Sequence, residues 1–260
     1  MNDPHVKRLY YKVVIGKDVD YKNAPALSET TNDFEFSLDG EKAIFNMKQH
    51  YSSADEARAV VEPYLRAWDI LIGLTHDPED LQLKFDHAEI IDRASISDNK
   101  KTINLQAHIS SHIVVSSEIN IHVSRGKFPP FPKDFSASPD AETMYLRYKS
   151  HREGRESLTA MAYMCLTVFQ ASAGGRIAAE RKYCIDHDVL DTLGRLTSTK
   201  GGPEDARKYP INGNFDPLHS KEKEWILSVI KTLIRRVGEY AYDNRAKISQ
   251  ISMKDFPELP

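Results

Sequence analysis

The sequence predicts an α+β protein in which an antiparallel β-sheet with one packed helix precedes a helical domain. The first half alternates apolar and polar residues with a period of two, whereas the second half repeats apolar residues every three or four positions. A proline-rich stretch separates the two patterns. We therefore expect a β-rich domain at 1–126, a linker at 127–137, a helical domain of about three main helices at 138–243 and a tail at 244–260.

Alternating runs in the first half indicate strands that pack one face and leave the other in water, which favours an antiparallel sheet. These runs start at Leu9, Phe34, Ala43, Leu81, Ile103 and Ile119. Asp39-Gly40 lies between two of them and predicts a hairpin turn.

One helix interrupts the strands. Ser53 and Glu56 have the spacing of a capping box. An apolar stripe at helical spacing follows at Val61, Leu65, Trp68 and Ile72. Pro63 lies inside this stripe, so we expect either a kink or a late start of the helix.

Three helical patterns follow the proline-rich stretch. The first opens at Ser138, and its face combines apolar residues with polar ones: Ala141, Met144, Tyr148, His151, Arg155, Leu158, Ala162, Cys165 and Phe169. The second includes Ile185 and Leu193, and the third opens at Ser220. The residues after Asn244 lose the pattern and predict a mobile end or a strap over a partner.

Composition narrows the class of protein. The 260 residues are 40% hydrophobic and 28% charged, as in an ordinary globular chain. The two cysteines exclude a disulfide framework and a cysteine zinc site. No apolar run resembles a signal sequence or a membrane span, so we expect a cytoplasmic protein without membrane contact. The net charge of −3 does not favour a general nucleic-acid binder, although nucleic acid stays open as a partner.

The polar interruption of the first C-terminal stripe is the first candidate site. His151, Arg152 and Arg155 would form a polar pocket that holds an anion or transfers protons. Two structural interpretations stay open beside this one. The helix could break near Gly154 and expose these residues, or they could form a network with Glu156, which is spaced to pair with Arg152.

The long loop between the second and third helical patterns is the second candidate. Gly201 and Gly202 lie near Lys200, Arg207 and Lys208, a combination that could cradle a phosphate. The sequence does not match a P-loop, and a solvated loop is the alternative.

A strand-like segment contains four residues of metal-ligating types, namely His108, His112, Glu118 and His122. Their side of the alternation is the solvent side, so exposed strand residues are expected rather than a metal site. We expect no metal and no cofactor, and no set of residues identifies a catalytic centre.

An Arg and a His on a helical domain invite comparison with HEPN ribonucleases, which combine these two residue types in one motif. Arg147 and His151 are separated by three residues, and Arg207 and His219 by eleven. Neither spacing fits that motif, so the sequence does not establish the resemblance. A HEPN-like ribonuclease that uses Arg and His of the helical domain remains the alternative function.

The main hypothesis is a binding or interaction protein that is a subunit of a larger assembly. The β-rich half would serve as the recognition platform, and the helical half as an assembly surface whose Arg/His patch accommodates an anionic group or nucleic acid. The expected partners are another protein or further copies of this chain. Enzymatic activity stays undecided, and the absence of a recognisable catalytic set argues against it.

Overall fold

The computed structural model describes residues 3–94, 103–106, 123–203, 205–206, 214–245 and 248–260, with the backbone alone for 103–106. The chain divides into two compact units, Met1–Pro132 and Lys133–Pro260. The division falls inside the stretch predicted as a linker, 127–137. The predicted fold class is confirmed: a unit with an antiparallel sheet and one helix precedes a helical unit.

The first unit contains a six-stranded sheet in the order β3-β4-β5-β1-β6-β7, with every neighbouring pair antiparallel. Its strands are β1 (Pro4–Ile15), β3 (Leu27–Thr30), β4 (Phe34–Asp39), β5 (Lys42–Met47), β6 (Leu81–Asp92) and β7 (Ile103–Gln106). Two short strands, β2 (Val19–Asp20) and β8 (Val123–Ser124), pair in parallel beside it. Of the strands predicted from Ile103 and Ile119, residues 107–122 lie outside the described chain.

The predicted hairpin at Asp39-Gly40 is confirmed. It joins β4 to β5, and Asp39 pairs with Lys42. Gly40 has φ +58°, a left-handed conformation that glycine adopts without a Cβ clash.

Helix α1 (Ala54–Thr75) covers one face of the sheet and completes the first core. The Ser53 side chain accepts the Glu56 backbone N–H at 3.2 Å, as the cap prediction requires. Pro63 lies inside α1, and the helix already begins at Ala54, so the late start is wrong. Trp68 and Val61 are buried in the core with aromatic and aliphatic residues of β1, β2, β4, β5 and β6.

The predicted linker is not a free spacer. Phe128 and Phe131 are buried in the core of the first unit, where the Phe131 ring lies 5.2 Å from Phe36. Phe135 is buried in the second unit, and Ser136 N–H donates to the Gly238 carbonyl at 3.0 Å. Large aromatic side chains within the proline-rich stretch therefore anchor it, because their burial removes apolar area from water.

The helical unit contains more helices than the three predicted patterns. They are α2 (Pro139–Arg152), α3 (Leu158–Ala171), α4 (Arg176–Tyr183), α5 (His187–Thr199) and α6 (Ser220–Tyr242). The first predicted helix is two helices, because Gly154 takes φ +71° between them. The third prediction is confirmed, since α6 starts at Ser220. No helix in the described chain has the length and apolarity needed to cross a membrane.

Residues 248–260 of the predicted tail pack on the helical unit of their own chain. Ile251 forms a parallel bridge with Ile185, and its N–H donates to the Cys184 carbonyl at 2.9 Å. Phe256 is buried with its ring 5.8 Å from Trp225. These two apolar anchors, which the loss of helical periodicity concealed, correct the prediction of a mobile end or a strap over a partner.

Candidate functional site

The outer face of the sheet, the face opposite α1, presents side chains in rows across three neighbouring strands. Strand β1 lies between β5 and β6. Residues directly opposite each other in an antiparallel pair point to the same face, so strand pairing fixes the rows. From β5 through β1 to β6 the rows are Asn46–Arg8–Glu89, Ile44–Tyr10–His87 and Lys42–Lys12–Lys84.

Two β-bulges interrupt the pairing of β1 with β6 beside these rows. Asp86 is an extra residue on β6, between the partners of Tyr10 and Tyr11. Lys7 is an extra residue on β1, immediately before Arg8. Bulges re-aim side chains and are frequent beside active sites. Here they add one carboxylate and one ammonium group to the outer face.

His87 is held from two sides. Its Nδ1 lies 2.9 Å from Asp86 Oδ2, and its ring stacks on Tyr10 with centroids 4.4 Å apart. Asp86 Oδ1 also lies 3.0 Å from Lys12 Nζ. Within the described residues His87 Nε2 has no hydrogen-bond partner. The imidazole is therefore oriented through one nitrogen and open at the other.

The pKa of Asp86 lies below its ordinary value. The hydrogen bond with His87 is the largest cause, Lys12 adds to it, and partial burial opposes both. The Asp86 carboxylate therefore stays ionised and available to hold the imidazole of His87 in one orientation.

Glu89 collects three donors around one carboxylate. Lys7 Nζ and Arg8 Nη1 each lie 3.5 Å from it, and the Tyr10 hydroxyl lies 3.4 Å from Oε2. Arg8 Nε also donates to Asn46 Oδ1 at 2.9 Å. The Glu89 side chain is 16% exposed, so the carboxylate is mostly enclosed while its cations reach solvent.

The third row places three lysines in direct register, Lys42, Lys12 and Lys84. All three are exposed. Asp86 lies close to Lys12, whereas Lys42 and Lys84 form no ion pair within the described residues. Like charges directly opposite each other destabilise a sheet. An anion above the row would remove this repulsion.

A groove of about 620 Å³ lies on this part of the sheet. Its polar lining includes Tyr10, Lys12, Lys42, Asp86, His87 and Glu89. The arrangement offers cations, an aromatic pair, an oriented imidazole and a carboxylate. These groups can bind an anion and transfer protons.

The residues predicted as a helical pocket lie instead at the junction of α2 and α3. His151 Nδ1 lies 3.0 Å from the Glu156 carbonyl oxygen. Arg152 ends α2 and is exposed, and the exposed Arg155 pairs with Glu153. The continuous stripe through His151 and Arg155 is wrong, because the turn at Gly154 redirects the chain.

Glu156 joins the two helices at this junction. Its carboxylate, with the side chain 10% exposed, binds Arg147 on α2. His151 thus belongs to a junction network with Glu156, whereas the break at Gly154 leaves Arg152 and Arg155 exposed, so each of the two structural alternatives describes part of the site.

Lys200 belongs to a second structural network. Its Nζ lies 2.9 Å from Glu222 Oε1 and 3.5 Å from Asp216. Glu222 in turn accepts the His219 backbone N–H at 2.9 Å. Lys200 therefore ties the end of α5 to the start of α6. Arg207 and Lys208, the other predicted phosphate ligands, lie outside the described residues.

The loop and the junction meet at one point. The hydroxyl groups of Ser157 and Thr159, at the start of α3, both donate to the Asp205 carbonyl. The loop backbone thus reaches the α2–α3 junction, while Lys200 is engaged with Glu222.

The residues considered for a metal, His108, His112, Glu118 and His122, lie outside the described chain. Within the part that is described, no three His, Cys, Asp or Glu residues are arranged to hold a metal ion.

Sequence reasoning missed the outer-face groove. Alternation places Tyr10 and Lys12 on the solvent side of β1. It places His87 and Glu89 on the same side as Leu81, Leu83 and Phe85, because the bulge at Asp86 is not visible in the pattern. The only signal was that a His and a Glu continue an apolar face, and their convergence with Tyr10 depends on register and bulges, which alternation does not reveal.

The fold and the groove define an α+β protein with a polar, groove-bearing sheet face. No protein-family model matches the chain, and no significant match was found among curated proteins or solved structures.

Proposed function

We propose that the protein is a binding protein whose β-sheet is a recognition platform for single-stranded nucleic acid. The observation that supports this most is the lysine row, Lys42, Lys12 and Lys84, in direct register across three strands. Neighbouring strands lie roughly 4.8 Å apart, so three ammonium groups face solvent within a short span. A chain of phosphates relieves their repulsion and releases its own counterions.

The adjacent row favours nucleic acid over an acidic polypeptide. Tyr10 and His87 form an aromatic pair beside the lysines, at the groove. Proteins that bind single strands combine a cationic track with aromatic rings on which bases stack. An acidic peptide needs the cations but has no bases to stack.

The net charge of −3 counts against indiscriminate binding to nucleic acid. Local arrangement governs affinity here, because exposed charges farther away than about 10 Å are screened at ordinary salt. We therefore expect binding confined to the outer face and strongly dependent on salt.

The test measures affinity for a labelled single-stranded 2′-O-methyl RNA by fluorescence anisotropy. Lys12→Gln, Lys42→Gln and Lys84→Gln are combined in one variant. We expect roughly a tenfold or greater loss of affinity, and a salt slope that is shallower by about 2, since each lost phosphate contact removes about 0.7.

The matched control replaces three exposed lysines of the helical unit, Lys221, Lys223 and Lys254, with glutamine and so changes the net charge equally. It should bind like the wild type. An equal loss in the control, or equally tight binding of an oligo-glutamate peptide through the lysine row, would contradict the proposal.

The proposal that the protein is a subunit of an assembly rests on the helical unit. Leu146 is 61% exposed and Ile177 is 64% exposed, so two large aliphatic side chains of this unit face solvent. A protein partner, a homo-oligomer and a cytoplasmic location remain predictions. Light scattering over a concentration series tests self-association, and a constant monomer mass would remove the homo-oligomer.

The HEPN-like alternative has one specific observation in its favour. Arg147 and His151 both engage Glu156, the first through its carboxylate and the second through its carbonyl oxygen. RNA cleavage abolished by His151→Ala would support this alternative. Unchanged cleavage in that variant would remove it.

A further inference from the structure

The outer-face groove places an acid–base pair beside the lysine row. His87 and Glu89 are two residues apart on β6 and share the outer face. A strand rises about 3.3 Å per residue, so their backbones are roughly 7 Å apart. Tyr10 and Arg8 lie directly opposite them on β1.

We propose that this groove cleaves RNA by internal transesterification, with Glu89 as the general base and His87 as the general acid. This inference rests on the proposed function, because it uses the lysine row to hold the strand. It extends that function from binding to chemistry and specifies RNA.

The residues of the groove determine the choice of substrate. The side chains that line it include no Ser, Thr or Cys that could act as a nucleophile. They do provide a carboxylate, an imidazole and cations. Such a set suits a substrate that brings its own nucleophile, and the 2′-hydroxyl of RNA is one. DNA has no 2′-hydroxyl and would bind without reacting.

The reaction balances as follows. The Glu89 carboxylate takes the proton from the 2′-hydroxyl, and O2′ forms a bond to the adjacent phosphorus. The bond between phosphorus and O5′ breaks, and protonated His87 gives its Nε2 proton to O5′. The products are a 2′,3′-cyclic phosphate and a 5′-hydroxyl, and proton exchange with water restores both side chains.

The neighbouring residues fit these roles. His87 Nδ1 is engaged by Asp86, which leaves Nε2 toward a substrate. Arg8 and Lys7 lie 3.5 Å from Glu89, so both cations are placed to bind the phosphate beside the base. Asp86 is a positioning residue, because it acts through His87.

The experiment uses the full chain and a DNA oligonucleotide with one internal ribonucleotide. The assay contains EDTA, and the products are identified by mass spectrometry. Wild type should cut once, after the ribonucleotide, and leave a cyclic phosphate. His87→Ala and Glu89→Gln should each lower the rate roughly a hundredfold or more, the usual range for losing an acid or a base.

Binding separates this inference from the proposed function. Glu89→Gln keeps both the lysine row and the stacked Tyr10–His87 pair, so it should bind 2′-O-methyl RNA within about threefold of wild type. Binding by wild type without cleavage overturns the inference and leaves the proposed function standing. If the triple lysine variant still binds and still cleaves, both the inference and the proposed function are overturned.

Two further variants sharpen the result. His151→Ala should cleave like wild type. If His151→Ala loses cleavage while His87→Ala retains it, the reaction takes place in the helical unit and the inference is overturned. Asp86→Asn should lower kcat more than it changes KM, because the hydrogen bond that orients the His87 ring weakens. An unchanged kcat would contradict the positioning role.

Discussion

At the scale of single residues, the fold disfavours the protonated form of His5. The residue is 4% exposed, and its Nδ1 has no hydrogen-bond partner in the described chain. Burial is the largest cause that lowers the pKa of His5, the charges of Arg93 and His50 add to it, and Asp3 opposes them. The folded protein thus favours neutral His5.

The sign of the pH dependence follows. The ordinary pKa is 6.5, and the folded value is lower, so between these values the unfolded chain binds more protons. His5 therefore lowers stability as pH falls below about 6.5. His5→Phe, which keeps a stacking ring, should lose less stability than wild type between about pH 7 and about pH 5. Urea midpoints at both pH values measure this.

His187 provides a control of opposite sign. Its hydrogen bond with Glu180 and the nearby Asp191 raise its pKa. Its stabilising contribution is present below the unfolded pKa and is lost as pH rises through the folded value. His187→Gln should therefore weaken the protein more in acid than in mild alkali. If the two substitutions change the pH dependence of stability in the same direction, the assignment is contradicted.

Individual caps were largely predictable from sequence, whereas side-chain convergence was not. Ser53 and Ser138 cap helices as their spacing indicated, because capping depends on residues three apart. The Asp86–His87–Lys12 cluster depends on a bulge and on pairing with a distant strand. Such contacts are set by tertiary structure.

At the scale of elements, the break between α2 and α3 shows where periodicity misleads. The spacing of three and four continues through Gly154, yet the positive φ there ends one helix before the next begins. Helix α4 was missed for the opposite reason. Its sequence, Arg176 to Tyr183, has only two buried residues and so no apolar stripe.

Two glycines inside helices provide a matched test of packing. A Cβ added at Gly238 on α6 would lie 2.1 Å from Phe135 Cε2, whereas one at Gly194 on α5 would lie 3.0 Å from Nη2, at the far end of the long Arg176 side chain. Alanine gains about 0.5–1 kcal/mol over glycine within a helix. Gly238→Ala should nevertheless lower the free energy of unfolding by about 1–3 kcal/mol through overpacking. Gly194→Ala should raise it, as urea denaturation would show.

The changes in the free energy of unfolding caused by Gly238→Ala and by Gly194→Ala must differ in sign. A stabilising Gly238→Ala would mean that Phe135 is not packed against α6, and the anchoring of the proline-rich stretch would be wrong.

At the scale of the whole molecule, each unit contains one tryptophan. Trp68 is 1% exposed in the first core, and Trp225 is fully buried in the second. The two tryptophans are the only ones in the chain. Fluorescence of the Trp68→Phe and Trp225→Phe variants therefore reports one unit at a time.

The division into two units predicts a selective effect. Gly238→Ala should lower the urea midpoint reported by Trp225 more than the midpoint reported by Trp68. Coincident shifts of equal size would show that the chain unfolds as one cooperative unit.

The overall division was visible in the sequence because the hydrophobic period changes from two to about 3.6 along the chain. The recognition surface was not visible in the sequence, because alternation identifies the solvent-facing side of a strand but not which side chains come together there. The lysine row exists only once Lys42, Lys12 and Lys84 are aligned by two strand pairings.

The most direct test of the platform is photo-crosslinking of single-stranded 2′-O-methyl RNA to the full chain, followed by peptide mapping. We expect cross-links on the peptides that contain β1 and β6, centred on Tyr10 and His87. The triple lysine variant should lose them. Cross-links confined to the α2–α3 junction, or unaffected by the lysine substitutions, would contradict the account.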